Sequence, residues 1–153
     1  MSGQFVLQMA GYPASGKSTL ARSIKKATGA VLIDKDVIKS AMLQHGIPEE
    51  TAAPLAYQVF FEVGRSIAVQ GDSVILDSPA YFRSISENGH SIAEEAGASY
   101  FIIECVCSDE AELLRRLTSR MRMASQIAHI MDPYSRPGAR ATHRTPPGTR
   151  HLR

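Results

Sequence analysis

Tryptophan is absent from these 153 residues, and cysteine occurs only twice. Two thiols cannot frame a small disulfide-stapled domain. Cys105 and Cys107 lie two apart in an apolar stretch. On a strand that spacing puts them on one face, which argues against a disulfide, and two thiols alone make a poor metal site. They read as buried, reduced core residues. No apolar run approaches the ~20 residues that a membrane-spanning helix needs. The chain opens on Gln4-Phe5-Val6-Leu7-Gln8-Met9 with no basic stretch before it and no cleavage signal after it, so the expectation is a mature cytoplasmic chain. The five histidines have no spacing that suggests a ligand set, and the six methionines read as packing residues.

Acids are missing from one region. Residues 1–133 carry twelve Lys and Arg against fifteen Asp and Glu, a net −3, whereas residues 134–153 carry five Arg and no acid. The overall charge of +2 therefore comes from the tail. The body shows no footprint of a nucleic-acid binder. The length suits one domain with a real core, expected over residues 1–133. The Arg, Pro, Gly, Thr and His composition of 134–153 predicts a disordered or loosely attached tail.

Within the body, short apolar runs alternate with helical patterns. Phe5–Met9, Ala30–Ile33, Ser73–Asp77 and Tyr100–Val106 read as strands. Helices are expected over Lys17–Thr28, Val37–Gln44, from Pro48 to about Gln70, around Ile85–Ala96, and after Ser108, which can cap the last of them. Pro54 would fall in the first turn of its helix or mark the true start. Strands apolar on both faces and alternating with helices imply an α/β fold with a parallel sheet covered on both sides.

The most specific signal is Gly11-Tyr12-Pro13-Ala14-Ser15-Gly16-Lys17-Ser18, a GxxxxGK[ST] phosphate-binding loop between a strand and a helix. Gly11 and Gly16 allow backbone angles that aim amide N–H groups at phosphates. The helix N-terminus adds partial positive charge. Lys17 reaches the β- and γ-phosphates, Ser18 offers its hydroxyl to Mg²⁺, and Thr19 completes the nucleotide-binding set. Two strands end in acids. Asp77 is assigned to the metal shell and Asp36 to the base that takes a proton from an acceptor hydroxyl. Helix capping is the competing role for Asp34 and Asp36. Transfer needs cations beyond Lys17. Arg116 and Arg120, four apart on the last helix, are the catalytic candidates, and Lys39 and Arg83 are candidates for the substrate. Surface exposure or pairing with Glu112 is the competing role for the first two. Arg115 and Arg122 read as solvated surface.

Residues 8–21, 31–43, 74–84 and 102–122 recur in this order and spacing in small P-loop kinases. The chain resembles the group related to zeta toxins, chloramphenicol phosphotransferase and the kinase domain of 5′-polynucleotide kinase. The resemblance covers about residues 4–125. It implies a three-layer α/β/α P-loop NTPase fold with strand order 2-3-1-4-5, ATP and Mg²⁺ as cofactors, Asp36 as proton acceptor, and Arg116 and Arg120 as lid arginines closing over ATP. Lys39 would meet substrate or phosphate where relatives often carry Arg. Relatives continue after the lid with a fifth strand and a final helix, and residues 135–153 show the pattern of neither. The expectation is a missing fifth strand, as in a truncated chain or one whose tail is read in an altered frame, with Met123–Ile130 as a lid remnant.

The leading expectation is an ATP-dependent kinase acting on a hydroxyl of a small molecule or nucleotide-like acceptor, whose pocket lies near Tyr57, Phe60 and Phe61. The alternatives are a nucleotide-binding module without efficient transfer, and an NTPase or nucleic-acid-end kinase that uses the basic tail as an arm. The body's lack of aromatic-basic interleaving counts against a nucleic-acid partner.

Overall fold

A computed structural model describes residues 3–80, 82–119 and 150–152. The elements run β1 (Phe5–Gly11), α1 (Lys17–Thr28), β2 (Val31–Asp34), α2 (Lys35–Gln44), α3 (Glu49–Val69), β3 (Val74–Asp77), α4 (Arg83–Ala96), β4 (Ser99–Cys105), α5 (Glu110–Ser119) and β5 (Arg150–Leu152). The strands form one parallel sheet of order β2-β3-β1-β4-β5.

The apolar runs become central strands because both of their faces are covered. Alternation along β1 sends Val6 and Ala10 to one side and Leu7 and Met9 to the other. The first side packs against Phe60, Phe61, Ala68, Ile85 and Ile92 of α3 and α4. The second packs against Ala21 of α1 with Ile75 of β3. Burial of these side chains supplies the main driving force, at roughly 25 cal/mol per Å² of apolar surface.

Helix boundaries follow local chemistry. Asp34 takes the N-cap of α2, with its Oδ1 accepting from the Asp36 amide at 2.8 Å. The helix therefore begins two residues before the apolar pattern does. Asp109, not Ser108, caps α5: its Oδ1 accepts from the amides of Ala111 and Glu112 at 3.0 and 3.1 Å. Pro54 lies beyond the first turn of α3, which already starts at Glu49. It sits on the exposed side of that helix, where water can take the carbonyl left without an N–H partner.

The expectation of a missing fifth strand is corrected. Arg150, His151 and Leu152 pair in parallel with Phe101, Ile102 and Ile103 of β4. Three residues with a single aliphatic side chain leave no periodic signature. Their pairing draws on the free backbone groups along the edge of β4, which ask nothing of side-chain pattern. These three residues of the tail are thus part of the sheet. The remainder of the expected tail and the expected lid remnant, Met123–Ile130, lie outside the described residues. The cysteines also depart from expectation. Only Cys105 is on β4, and both thiols are free and half-buried.

Candidate active site

The carboxyl ends of β1, β2 and β3 meet at one edge of the sheet, where ligands collect in open α/β folds. The loop from Gly11 to Ser18 leaves β1 there and turns directly into α1. Its path depends on three residues with positive φ: Gly11 at 124°, Ala14 at 63° and Gly16 at 99°. Gly11 is required for a second reason. A Cβ at that position would lie 2.3 Å from the carbonyl oxygen of Cys105, its partner across the β1–β4 ladder. The loop is closed by the Ser15 amide donating to the Tyr12 carbonyl at 3.1 Å. Pro13 and Ser15 are half-buried within it, and Thr19 is exposed just past it on α1.

Lys17 is buried, and its ammonium donates to the Tyr12 carbonyl at 2.7 Å, which holds a full positive charge inside the loop. That charge reaches the neighbouring groups. Burial pushes the Cys105 thiol pKa up while Lys17 pulls it down.

Asp77 ends β3 directly opposite Asp34 of β2 and is only 4% exposed. Burial raises its pKa above the ordinary carboxylate value. A hydrogen bond from the Ser18 hydroxyl and the charge of Lys17 work against that rise, while Asp34 and Asp36 add to it. Asp77 Oδ2 is buried without a hydrogen-bond partner. A buried carboxylate oxygen with no partner beside a serine hydroxyl is a donor set that suits Mg²⁺, which takes one or two protein oxygens and completes its shell with phosphates and water. Among the described residues there is no group of three or more His, Cys, Asp or Glu that could hold a metal ion.

Asp34 serves as the helix cap, and burial raises its pKa, opposed by the amide of Asp36. Asp36 stands in the first turn of α2. Its Oδ1 is 2.6 Å from the ammonium of Lys35. Lys35 is itself buried, and its ammonium also lies 5.3 Å from the centre of the Tyr57 ring. The Tyr57 pKa is pushed up, first by burial and then by the charge of Asp36. Its hydroxyl donates to the Pro79 carbonyl at 3.3 Å.

The basic candidates fall into a different pattern. Lys39 pairs with Glu49 at the start of α3. Arg83 pairs with Glu87 at 2.6 Å and is well exposed. Arg116 pairs with Glu112 at 2.6 Å, and Arg115 joins the same carboxylate through two hydrogen bonds. Together they hold the Glu112 pKa down at about 2. Arg120 lies outside the described residues. The structure thus gathers Gly11–Ser18, Asp34, Asp36 and Asp77 at one edge, while Arg83 and Arg116 are engaged on their own helices.

Two residues at this edge escaped the reading of the sequence. Lys35 was passed over between two acids, although a lysine following a buried strand and flanked by carboxylates is a signal of a paired, enclosed cation. Gln8 lies fully buried in β1. Its amide nitrogen donates to the Leu76 carbonyl at 3.1 Å and to the Ser78 hydroxyl at 3.2 Å, which fixes the turn that carries Asp77. A glutamine inside an apolar run was the available clue.

Beside this edge a cavity of about 520 Å³ opens between α3 and α4, with Tyr57, Phe61 and Phe82 in its walls. Phe60, by contrast, is fully enclosed in the core.

Among solved structures, the fold is similar to a candidate kinase of Chloroflexus aurantiacus, with a TM-score of 0.68 and 23% identity over 78% of this chain and 68% of that one. It is similar to a sugar kinase of Janibacter sp., with a TM-score of 0.57 and 21% identity over 87% and 73%. The APS kinase of Mycobacterium tuberculosis, solved with AMPPNP and APS, gives 0.59 and 16% over 89% and 84%. At such identities the likeness carries the fold, that of P-loop NTPases. No curated protein sequence matches the chain. A family model described as AAA domain, AAA_33, matches residues 6–132, and the chain belongs to that family.

Proposed function

We propose that the protein is a kinase that transfers the γ-phosphoryl group of Mg-ATP to an alcohol hydroxyl. The observation that carries this reading is the placement of Asp36. It stands in the first turn of the helix that Asp34 caps, is paired with Lys35, and acts, as Lys17 does, on the charge of Asp77. The loop amides and Lys17 would bind and orient the β- and γ-phosphates. Ser18 and Asp77 would hold Mg²⁺, which supplies charge neutralisation on the phosphate oxygens when bound. Asp36 would accept the proton of the acceptor hydroxyl as its oxygen forms a bond to the γ-phosphorus. The bond from that phosphorus to the β–γ bridging oxygen breaks, and ADP leaves. Lys35, bonded to Asp36 and stacked near Tyr57, is a positioning residue for the base. The kinases among the structural neighbours support the reaction class.

Asp36→Asn is the decisive variant. Transfer should fall by roughly 100-fold or more, with ATP affinity measured by titration calorimetry nearly unchanged. Turnover close to the parent rate would remove Asp36 from its role.

A second reading, a nucleotide-binding module without efficient transfer, is favoured by the engagement of Lys39, Arg83 and Arg116 with Glu49, Glu87 and Glu112. It expects ATP binding with no ADP release stimulated by any hydroxyl compound.

A further inference from the structure

The cavity between α3 and α4 has a composition that selects among acceptors. Its aromatic walls, Tyr57, Phe61 and Phe82, are joined by the neutral polar side chains of Gln58, Ser84 and Asn88. Among the described residues that line it there is no lysine or arginine, and the one carboxylate is Glu62. The cations nearest in sequence are engaged with acids. Arg65 pairs with Glu95 and, at 3.6 Å, with Glu62. Arg83 pairs with Glu87. Lys35 lies over the Tyr57 ring and is bonded to Asp36.

A phosphorylated ligand entering such walls would give up its hydration without a cation to replace it, a cost that recognition sites for phosphate avoid with Arg or Lys. A flat apolar ring meets the opposite situation. Aromatic faces offer it stacking, and the amides of Gln58 and Asn88 can bond its polar edge. The volume of about 520 Å³ matches a compact organic molecule. Tyr57 is shared between this cavity and the base: one wall of the cavity is the ring whose neighbours are Lys35 and, through it, Asp36.

We propose that this cavity is the acceptor site, and that it takes an alcohol with a flat apolar body and no phosphate group. The inference rests on the phosphoryl-transfer reading and narrows its substrate class. Nucleotides and sugar phosphates are expected to be poorer acceptors than the corresponding alcohols.

The test uses the full chain saturated with Mg²⁺ and AMPPNP, so that the phosphate loop is filled. Thymidine and phenyl β-glucoside are titrated, each against its own monophosphate ester, with binding read by ligand-detected NMR. At least one alcohol should bind, with its ester about ten-fold weaker or worse. Phe82→Ala, at a half-exposed wall position, should weaken the alcohol about ten-fold while AMPPNP affinity holds. Asn88→Arg should shift the preference toward the ester. Esters that bind as tightly as their alcohols overturn the proposal. So does alcohol binding that Phe82→Ala leaves unchanged, and so does the absence of any alcohol binding at millimolar concentration. Turnover, measured with Mg-ATP in place of AMPPNP, separates the two claims. Alcohols that bind as expected but release no ADP sink the transfer reading and leave the site standing. Preferred turnover of phosphorylated acceptors leaves transfer standing and sinks the site.

Discussion

The phosphate loop and the basic side chains around it are built on different principles. The loop places its charge through backbone geometry: positive φ at Gly11, Ala14 and Gly16, a closed Tyr12–Ser15 turn and a buried Lys17. Its contacts with distant residues include the close approach of the Cys105 carbonyl to Gly11 and the hydrogen bond from the Ser18 hydroxyl to Asp77. Lys39, Arg83 and Arg116 instead sit on helices and bond whichever carboxylate is within reach. Pairs with at least one exposed partner contribute little to stability and exchange partners readily. A preorganised loop can bind phosphate without rearrangement. The peripheral cations must give up a partner before they can meet a ligand. Lys35 and Asp36 stand between these regions, a pair enclosed enough to be held and close enough to act.

Gly11→Ala attacks the rigid side of this comparison and should have the largest effect. Its Cβ would meet the Cys105 carbonyl and its φ would be strained, so a loss of about 3 kcal/mol is expected, with nucleotide binding abolished. Urea unfolding and ATP titration check both; a variant of parental stability that still binds ATP would show that the loop is less constrained than its geometry implies.

Lys35→Met probes the boundary. Transfer should fall roughly ten-fold to a hundred-fold in kcat, with the KM for ATP unchanged, and Lys35→Arg should recover part of the loss. A drop in stability with kcat intact, or a failure of rescue, would make Lys35 a packing residue only.

Asp77→Asn should have the smallest effect on the free protein, and of opposite sign. The folded-state pKa of Asp77 lies above its ordinary value of 3.8, chiefly because it is buried. Its linkage contribution to stability is therefore fully present below the unfolded-state pKa and is lost as pH rises through the raised value. At neutral pH the buried charge opposes folding, and the amide should stabilise the nucleotide-free chain by about 1 kcal/mol while weakening Mg-ATP binding. The stability difference should shrink in acid. Denaturant melts across pH measure it, and equal stability at every pH would remove the cost assigned to burying this carboxylate.

The sheet was legible in the chain because its strands β1 to β4 are apolar runs in regular alternation with helices, and because the GxxxxGK[ST] spacing implies a strand before it and a helix after it. Alternation of side chains along β1 required helices on both faces. The short β5 was not legible, since Arg150-His151-Leu152 has no period and acquires its partner only through the exposed edge of β4. At the site, the residues of the loop were readable for the same local reason. The division of labour between Asp34 and Asp36 was not: both stand near the start of a helix, and only the bond from the Asp36 amide to Asp34 Oδ1 decides which one caps.

The amino-acid sequence alone determined the phosphate loop, the parallel α/β arrangement and the acids at the strand ends, because each depends on neighbours within a few residues. Tertiary structure alone decided that Lys35 is enclosed against Asp36 and Tyr57, that Gln8 anchors the turn carrying Asp77, that α3 and α4 leave a cavity without a lysine or arginine among its described lining residues, and that Arg116 bonds Glu112. Apart from the neighbours Lys35 and Asp36 and the pair within α5, these join residues far apart in the chain. Their placement is fixed by packing, about which periodicity and spacing are silent.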